Sequence, residues 1–92
     1  MKRFNFLICY DISNTKRLRK VAKALESVSI RIQKSIFYYM DASSEDMKDI
    51  VTKLKNLIDN DEDDIRIYKV DKYSSLNLKS AINLIKPNII GV

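Results

Sequence analysis

A chain of 92 residues with 46% hydrophobic and 32% charged residues has room for one domain and excludes a disordered polymer. It carries a formal net charge of +5, no histidine and one cysteine, which excludes His-based triads, His–Zn centres and an internal disulfide. The charge is uneven: residues 1–34 hold nine Lys/Arg against Asp11 and Glu26, whereas residues 35–92 hold eight against ten acids.

Phe4-Asn5-Phe6-Leu7-Ile8-Cys9-Tyr10 is almost wholly apolar and predicts a central strand that stops at Asp11. Cys9 lies inside this run, where a thiol reads as packing and fits a reducing, cytoplasmic setting. Asn5, Tyr10 and Asp11 interrupt the run, so it is neither a signal peptide nor a membrane span of about 18 residues.

Ser13 or Asn14 can cap a helix whose apolar stripe is Leu18, Val21, Ala22, Leu25 and Val28. At about 100° per residue, Lys16, Arg19, Lys20 and Lys23 cluster on the opposite face, with Arg17 on its flank. Solvated helix faces usually mix signs, so an unmixed basic face points to a polyanion; a plain solvated surface is the alternative.

Ile30 to Met40 reads as extended, with Lys34 breaking the apolar phase and predicting a bulge or a break between two strand segments. Ser43 with Asp46 makes an approximate capping box for a helix carrying Met47, Ile50, Val51, Leu54, Leu57 and Ile58. Residues 59–64 form an acidic run without the central Gly and final Glu of a calcium loop, and read as a solvated turn. Ile65–Val70 alternates as a strand does. Beyond it, Leu76, Leu78, Ile82 and Ile85 fit a short helix ended by Pro87, and residues 88–92 fit a last strand at a dimer interface.

The order strand, helix, two strand segments, helix, strand predicts a single α/β (α+β) domain over 1–92. Its expected plan is ferredoxin-like βαββαβ: an antiparallel sheet with helices on one face. The core would span 2–71, with 72–92 as a C-terminal dimerisation segment.

Three stretches together carry a resemblance: Ile8-Cys9-Tyr10-Asp11-Ile12-Ser13, then Lys16-Arg17-Leu18-Arg19-Lys20-Val21, then Ser29-Ile30-Arg31-Ile32-Gln33-Lys34-Ser35-Ile36-Phe37. Their order resembles the CRISPR-associated Cas-two family, partner of the spacer-acquisition integrase. That family has a strand ending in Tyr-Asp, an Arg/Lys-rich first helix and an Arg-Val-Gln-x-Ser-Val-Phe strand. Asp64 to Tyr68 is similar to a later strand of the family. Two positions depart from it: Ser29 where Gly is common, and Tyr38 where Glu is common.

The resemblance implies a homodimer in which Asp11 of each copy lies near the axis and holds a divalent cation, Mg²⁺ or Mn²⁺. Cleavage of RNA or double-stranded DNA, or a scaffold role bridging CRISPR integrase subunits and DNA, would follow. By position it makes Arg17, Arg19 and Arg31 phosphate contacts, with Lys16 and Lys20 adding charge, and sets Tyr10, Ser35 and Phe37 beside the site. Read without the resemblance, Asp11 is a strand-end turn or helix cap, Phe37 is an ordinary strand hydrophobe, and the chain is a ferredoxin-like regulatory module for a small ligand. An RNA-recognition motif is disfavoured, since no Gly-Phe-aromatic signature lies on a central strand.

Overall fold

The computed structural model describes residues 2–70. Its elements are β1 (Phe4–Asp11), α1 (Thr15–Glu26), β2 (Ile30–Gln33), β3 (Ile36–Ala42), α2 (Ser44–Leu57) and β4 (Asp64–Val70). The strands form one antiparallel sheet in the order β2-β3-β1-β4, so the apolar β1 is central, as its sequence requires. This is the ferredoxin-like plan. The tail helix, the last strand and the dimerisation segment expected over 72–92 lie outside the described residues.

Strand alternation divides the sheet's side chains between two faces. On one, Phe6, Ile8, Tyr10, Phe37, Ile65 and Ile67 pack against Val21, Ala22 and Leu25 of α1 and Ile50 and Leu54 of α2. Phe37, Ile8, Leu25 and Leu54 have no exposed surface; burial at that level stabilises by about 1.5–3 kcal/mol per side chain. On the other face a smaller cluster joins Leu7, Tyr38 and Val70, flanked by Ile32, Ile36 and Tyr68. No helix residue contributes to it, so both helices lie on one face.

Local chemistry sets the element ends. Asn14, rather than Ser13, caps α1: its Oδ1 accepts from the Arg17 N–H at 3.0 Å. Ser43 and Asp46 form a reciprocal box at α2, with Ser43 Oγ accepting from Asp46 N at 3.1 Å and Asp46 Oδ2 from Ser43 N at 2.9 Å. The Ser43 backbone N–H holds the Asp46 carboxyl below its usual range. The irregularity read at Lys34 is a break: Lys34 and Ser35 form the turn between β2 and β3.

Two details differ from the sequence pattern. Val28 lies beyond the last turn of α1 and is 41% exposed, so the apolar stripe ends at Leu25. The acidic run is also more than a solvated turn, because the side chain of Asp63 has no exposed surface and accepts hydrogen bonds from Arg17 and from the Asp59 N–H.

Candidate functional site

The C-terminal end of β1 meets the β2–β3 turn. Here the Tyr10 N–H donates to the Ser35 carbonyl at 3.1 Å, and the Tyr10 hydroxyl donates to the Lys34 carbonyl at 3.3 Å. The Arg31 guanidinium approaches the same hydroxyl at 3.5 Å and sits 5.1 Å from the centroid of the Phe37 ring. The Tyr10 and Phe37 rings stack with centroids 6.1 Å apart. Arg31 is thus held over an aromatic floor, in the arrangement that favours a guanidinium on a ring face. Its contact to Glu26 at 3.7 Å joins two exposed side chains and contributes little.

Around this point lies a cleft of about 290 Å³ lined by Tyr10, Asp11, Arg31, Lys34 and Ser35, over Ile12 and Leu18. The structure therefore gathers Tyr10, Asp11, Arg31 and Ser35 into one concavity, with Phe37 buried beneath. It adds Lys34, whose only sequence signal was a broken strand phase; a cation in a tight turn has no periodicity to reveal its neighbours. A larger apolar groove of about 360 Å³, lined by Phe4, Phe6, Met47, Val51 and Ile67, lies at the opposite end of β1 and contains none of the candidate residues.

Lys16, Arg19 and Lys20 are exposed on the outer side of α1 and do not line the cleft. Arg17 points elsewhere. Its Nε donates to Asp63 Oδ2 at 2.7 Å, and its Nη2 donates to Glu62 Oε2 at 2.8 Å.

Asp11 is exposed, and no cationic partner lies within ion-pair distance among the described residues. In the β1–β4 register it stands opposite Asp64, whose carboxylate accepts from Arg66 Nε at 2.9 Å. No group of three potential metal ligands occurs among the described residues. Mg²⁺ takes six oxygens and is usually held by one or two carboxylates with waters and phosphate. Asp11 is an uncommitted carboxylate of the kind that can contribute to such a site, and it would need further ligands from elsewhere.

The family model described as "CRISPR associated protein Cas2" matches residues 4–77. The chain belongs to the Cas2 family. It is 36% identical over 93 residues to the CRISPR-associated endonuclease Cas2 of Halalkalibacterium halodurans, an alignment that covers 90% of this chain and 96% of that protein. It is 35% identical over 72 residues to a CRISPR-associated endoribonuclease Cas2 of Thermodesulfovibrio yellowstonii, covering 78% of each. The Streptococcus pyogenes Cas2 crystal structure at pH 6.5 superposes with a TM-score of 0.71 at 33% identity, covering 78% of this chain and 92% of that one. A chain of a partial Cas6-RT-Cas1–Cas2 complex superposes with a TM-score of 0.68 at 22% identity, covering 99% of each chain, and shares the fold.

Within this Cas2 frame, the departure at Tyr38 falls on the helix-free face. Its side chain is buried, and its hydroxyl finds no hydrogen-bond partner among the described residues. No helix of the described residues is long and apolar enough to cross a membrane.

Proposed function

We propose that this Cas2 chain serves CRISPR adaptation as a homodimer that binds nucleic acid, RNA or double-stranded DNA, and engages an integrase subunit. The observation that carries the reading is the cleft in which an uncommitted Asp11 carboxylate stands among Arg31, Lys34, Ser35 and Tyr10. Arg31 and Lys34 would hold a phosphodiester by charge-assisted hydrogen bonds. The exposed Lys16, Arg19 and Lys20 of α1 would track the flanking backbone and contribute through counterion release.

Asp11 from two copies would hold Mg²⁺ or Mn²⁺, which would supply polarisation of the phosphoryl oxygen and neutralise its developing charge. In that site Arg31 would orient the phosphate, while the Tyr10 hydroxyl and Phe37 ring fix Arg31. The names of the endonuclease and endoribonuclease relatives support phosphodiester cleavage as the activity.

A second reading is a non-catalytic adaptor that bridges integrase and DNA. The need for a partner copy to complete the carboxylate pair favours weighing it, since a scaffold would use the cations without Asp11. Asp11→Ala separates the two. The nuclease reading expects cleavage of labelled RNA and duplex DNA to vanish with Mg²⁺ or Mn²⁺ present, while affinity is retained; persistent cleavage would overturn the carboxylate mechanism. Spacer integration that survives the substitution would assign the scaffold role to the rest of the surface. For either reading, affinity must fall steeply with salt, and a salt-independent affinity would sink the nucleic-acid reading.

A further inference from the structure

Arg17 lies on the basic helix, one position from Lys16 and two from Arg19, yet its surroundings differ from theirs. The Asp63 carboxylate, with no exposed side-chain surface, accepts from Arg17 Nε at 2.7 Å and from Nη2 at 3.3 Å. It also accepts from the Asp59 N–H at 2.9 Å, and Glu62 takes a further bond from Arg17 Nη2 at 2.8 Å. None of Lys16, Arg19 and Lys20 pairs with a carboxylate among the described residues. One guanidinium facing two carboxylates leaves a net negative charge at that spot, which repels phosphate. A phosphate could take Arg17 only by stripping the fork from a buried carboxylate, and an unpaired buried charge is costly.

The pair also has a position that matters. Asp63 immediately precedes β4, whose first residues Asp64 and Ile65 pair with Asp11 and Tyr10. Arg17 lies in the first turn of α1, three residues into the helix that follows β1. The fork therefore joins the segment leaving Asp11 to the segment entering Asp64.

We propose that Arg17 is a positioning residue: through Asp63 it sets the end of the β1–β4 pairing, and so the placement of Asp11, and it makes no phosphate contact. The statement about phosphate rests on the nucleic-acid reading above; the statement about register does not.

The experiment uses the full chain and four variants: Arg17→Gln, Arg17→Lys, Asp63→Asn and Arg19→Gln. Amide hydrogen exchange by NMR reads the register. Arg17→Gln, Arg17→Lys and Asp63→Asn should speed exchange about tenfold or more at the Tyr10–Asp11 and Asp64–Ile65 ends, with the Leu7–Tyr68 centre unchanged. Equal acceleration at all positions, or none, overturns the positioning role. Arg17→Lys keeps the charge and loses the fork, so it decides the matter even if Arg17→Gln does not fold.

Binding of a 30-base-pair DNA duplex against salt reads the phosphate. Arg19→Gln should lower the log–log slope by about 0.9, whereas Arg17→Gln leaves it unchanged. A slope lowered by Arg17→Gln overturns the exclusion from phosphate. If no variant alters the slope, Arg19→Gln included, it is the nucleic-acid reading that fails, and the exchange data still decide the register.

Discussion

Asp11 and Asp64 stand directly opposite each other across β1 and β4, so two carboxylates share one end of one strand pair. Like charges in that relation destabilise a sheet, and Arg66 relieves only the Asp64 side. The metal-holding role proposed for Asp11 would account for a fold that keeps the carboxylate there at a cost in stability.

Asp11→Asn is therefore expected to stabilise the chain by roughly 0.5 kcal/mol while weakening any divalent-ion dependence of its activity. Urea unfolding of the two proteins with equal m-values checks the first half. A midpoint that drops on substitution would show that the carboxylate is structurally required.

Tyr10 and Phe37 support Arg31 in different ways, and their substitutions should separate. Phe37 is wholly buried, so Phe37→Ala is expected to cost about 3–5 kcal/mol, and lost function would follow from lost folding. Tyr10→Phe keeps the ring stack and removes one hydroxyl, at a cost of about 1 kcal/mol. It should weaken nucleic-acid binding by freeing Arg31 without lowering the population of folded protein. Thermal melts run beside binding titrations check both.

The Arg17 guanidinium holds the Asp63 carboxyl below its usual range. The native state then takes up this proton less readily than the unfolded chain, whose aspartates titrate near about 3.9. The stabilisation is complete above that value and is lost as pH falls through the lower native one. Stability measured between pH 6 and pH 2 should show an acid limb that is shallower in Asp63→Asn than in the parent. Parallel limbs would mean that other carboxylates carry the acid sensitivity.

Asp41 has φ 59°, in the left-handed region, at the end of β3. It sits where the β1–β3 register shifts between Phe4 and Phe6, and its N–H donates to Asn5 Oδ1 at 2.9 Å. Aspartate tolerates this conformation and a β-branched residue does not. Asp41→Gly should be neutral or stabilising by a few tenths of a kcal/mol, and Asp41→Val destabilising by about 1–2 kcal/mol, judged by chemical denaturation.

Much of this protein was legible in its residues because its signals are local. The apolar run 4–10 determined the central strand, the Ser43–Asp46 box determined where α2 begins, and the spacing of Leu18, Val21, Ala22 and Leu25 determined the face of α1 that packs inward. The ordered Tyr-Asp, basic helix and Arg-Ile-Gln-x-Ser-Ile-Phe stretches carried the family. Helix and strand periods reach a few residues along the chain, and these features lie within that reach.

The tertiary structure alone decided which cations are available. Helical phase puts Arg17 on the flank of a basic face, but the carboxylate that occupies it comes from Asp63, 46 residues away. Lys34 shows the converse: a residue that spoils a strand pattern becomes part of the cleft once β2 turns into β3 beside the end of β1. The opposition of Asp11 and Asp64 likewise exists only because β4 pairs with β1. Such contacts follow from chain crossings between distant segments, for which no short-range period of the sequence carries a signal.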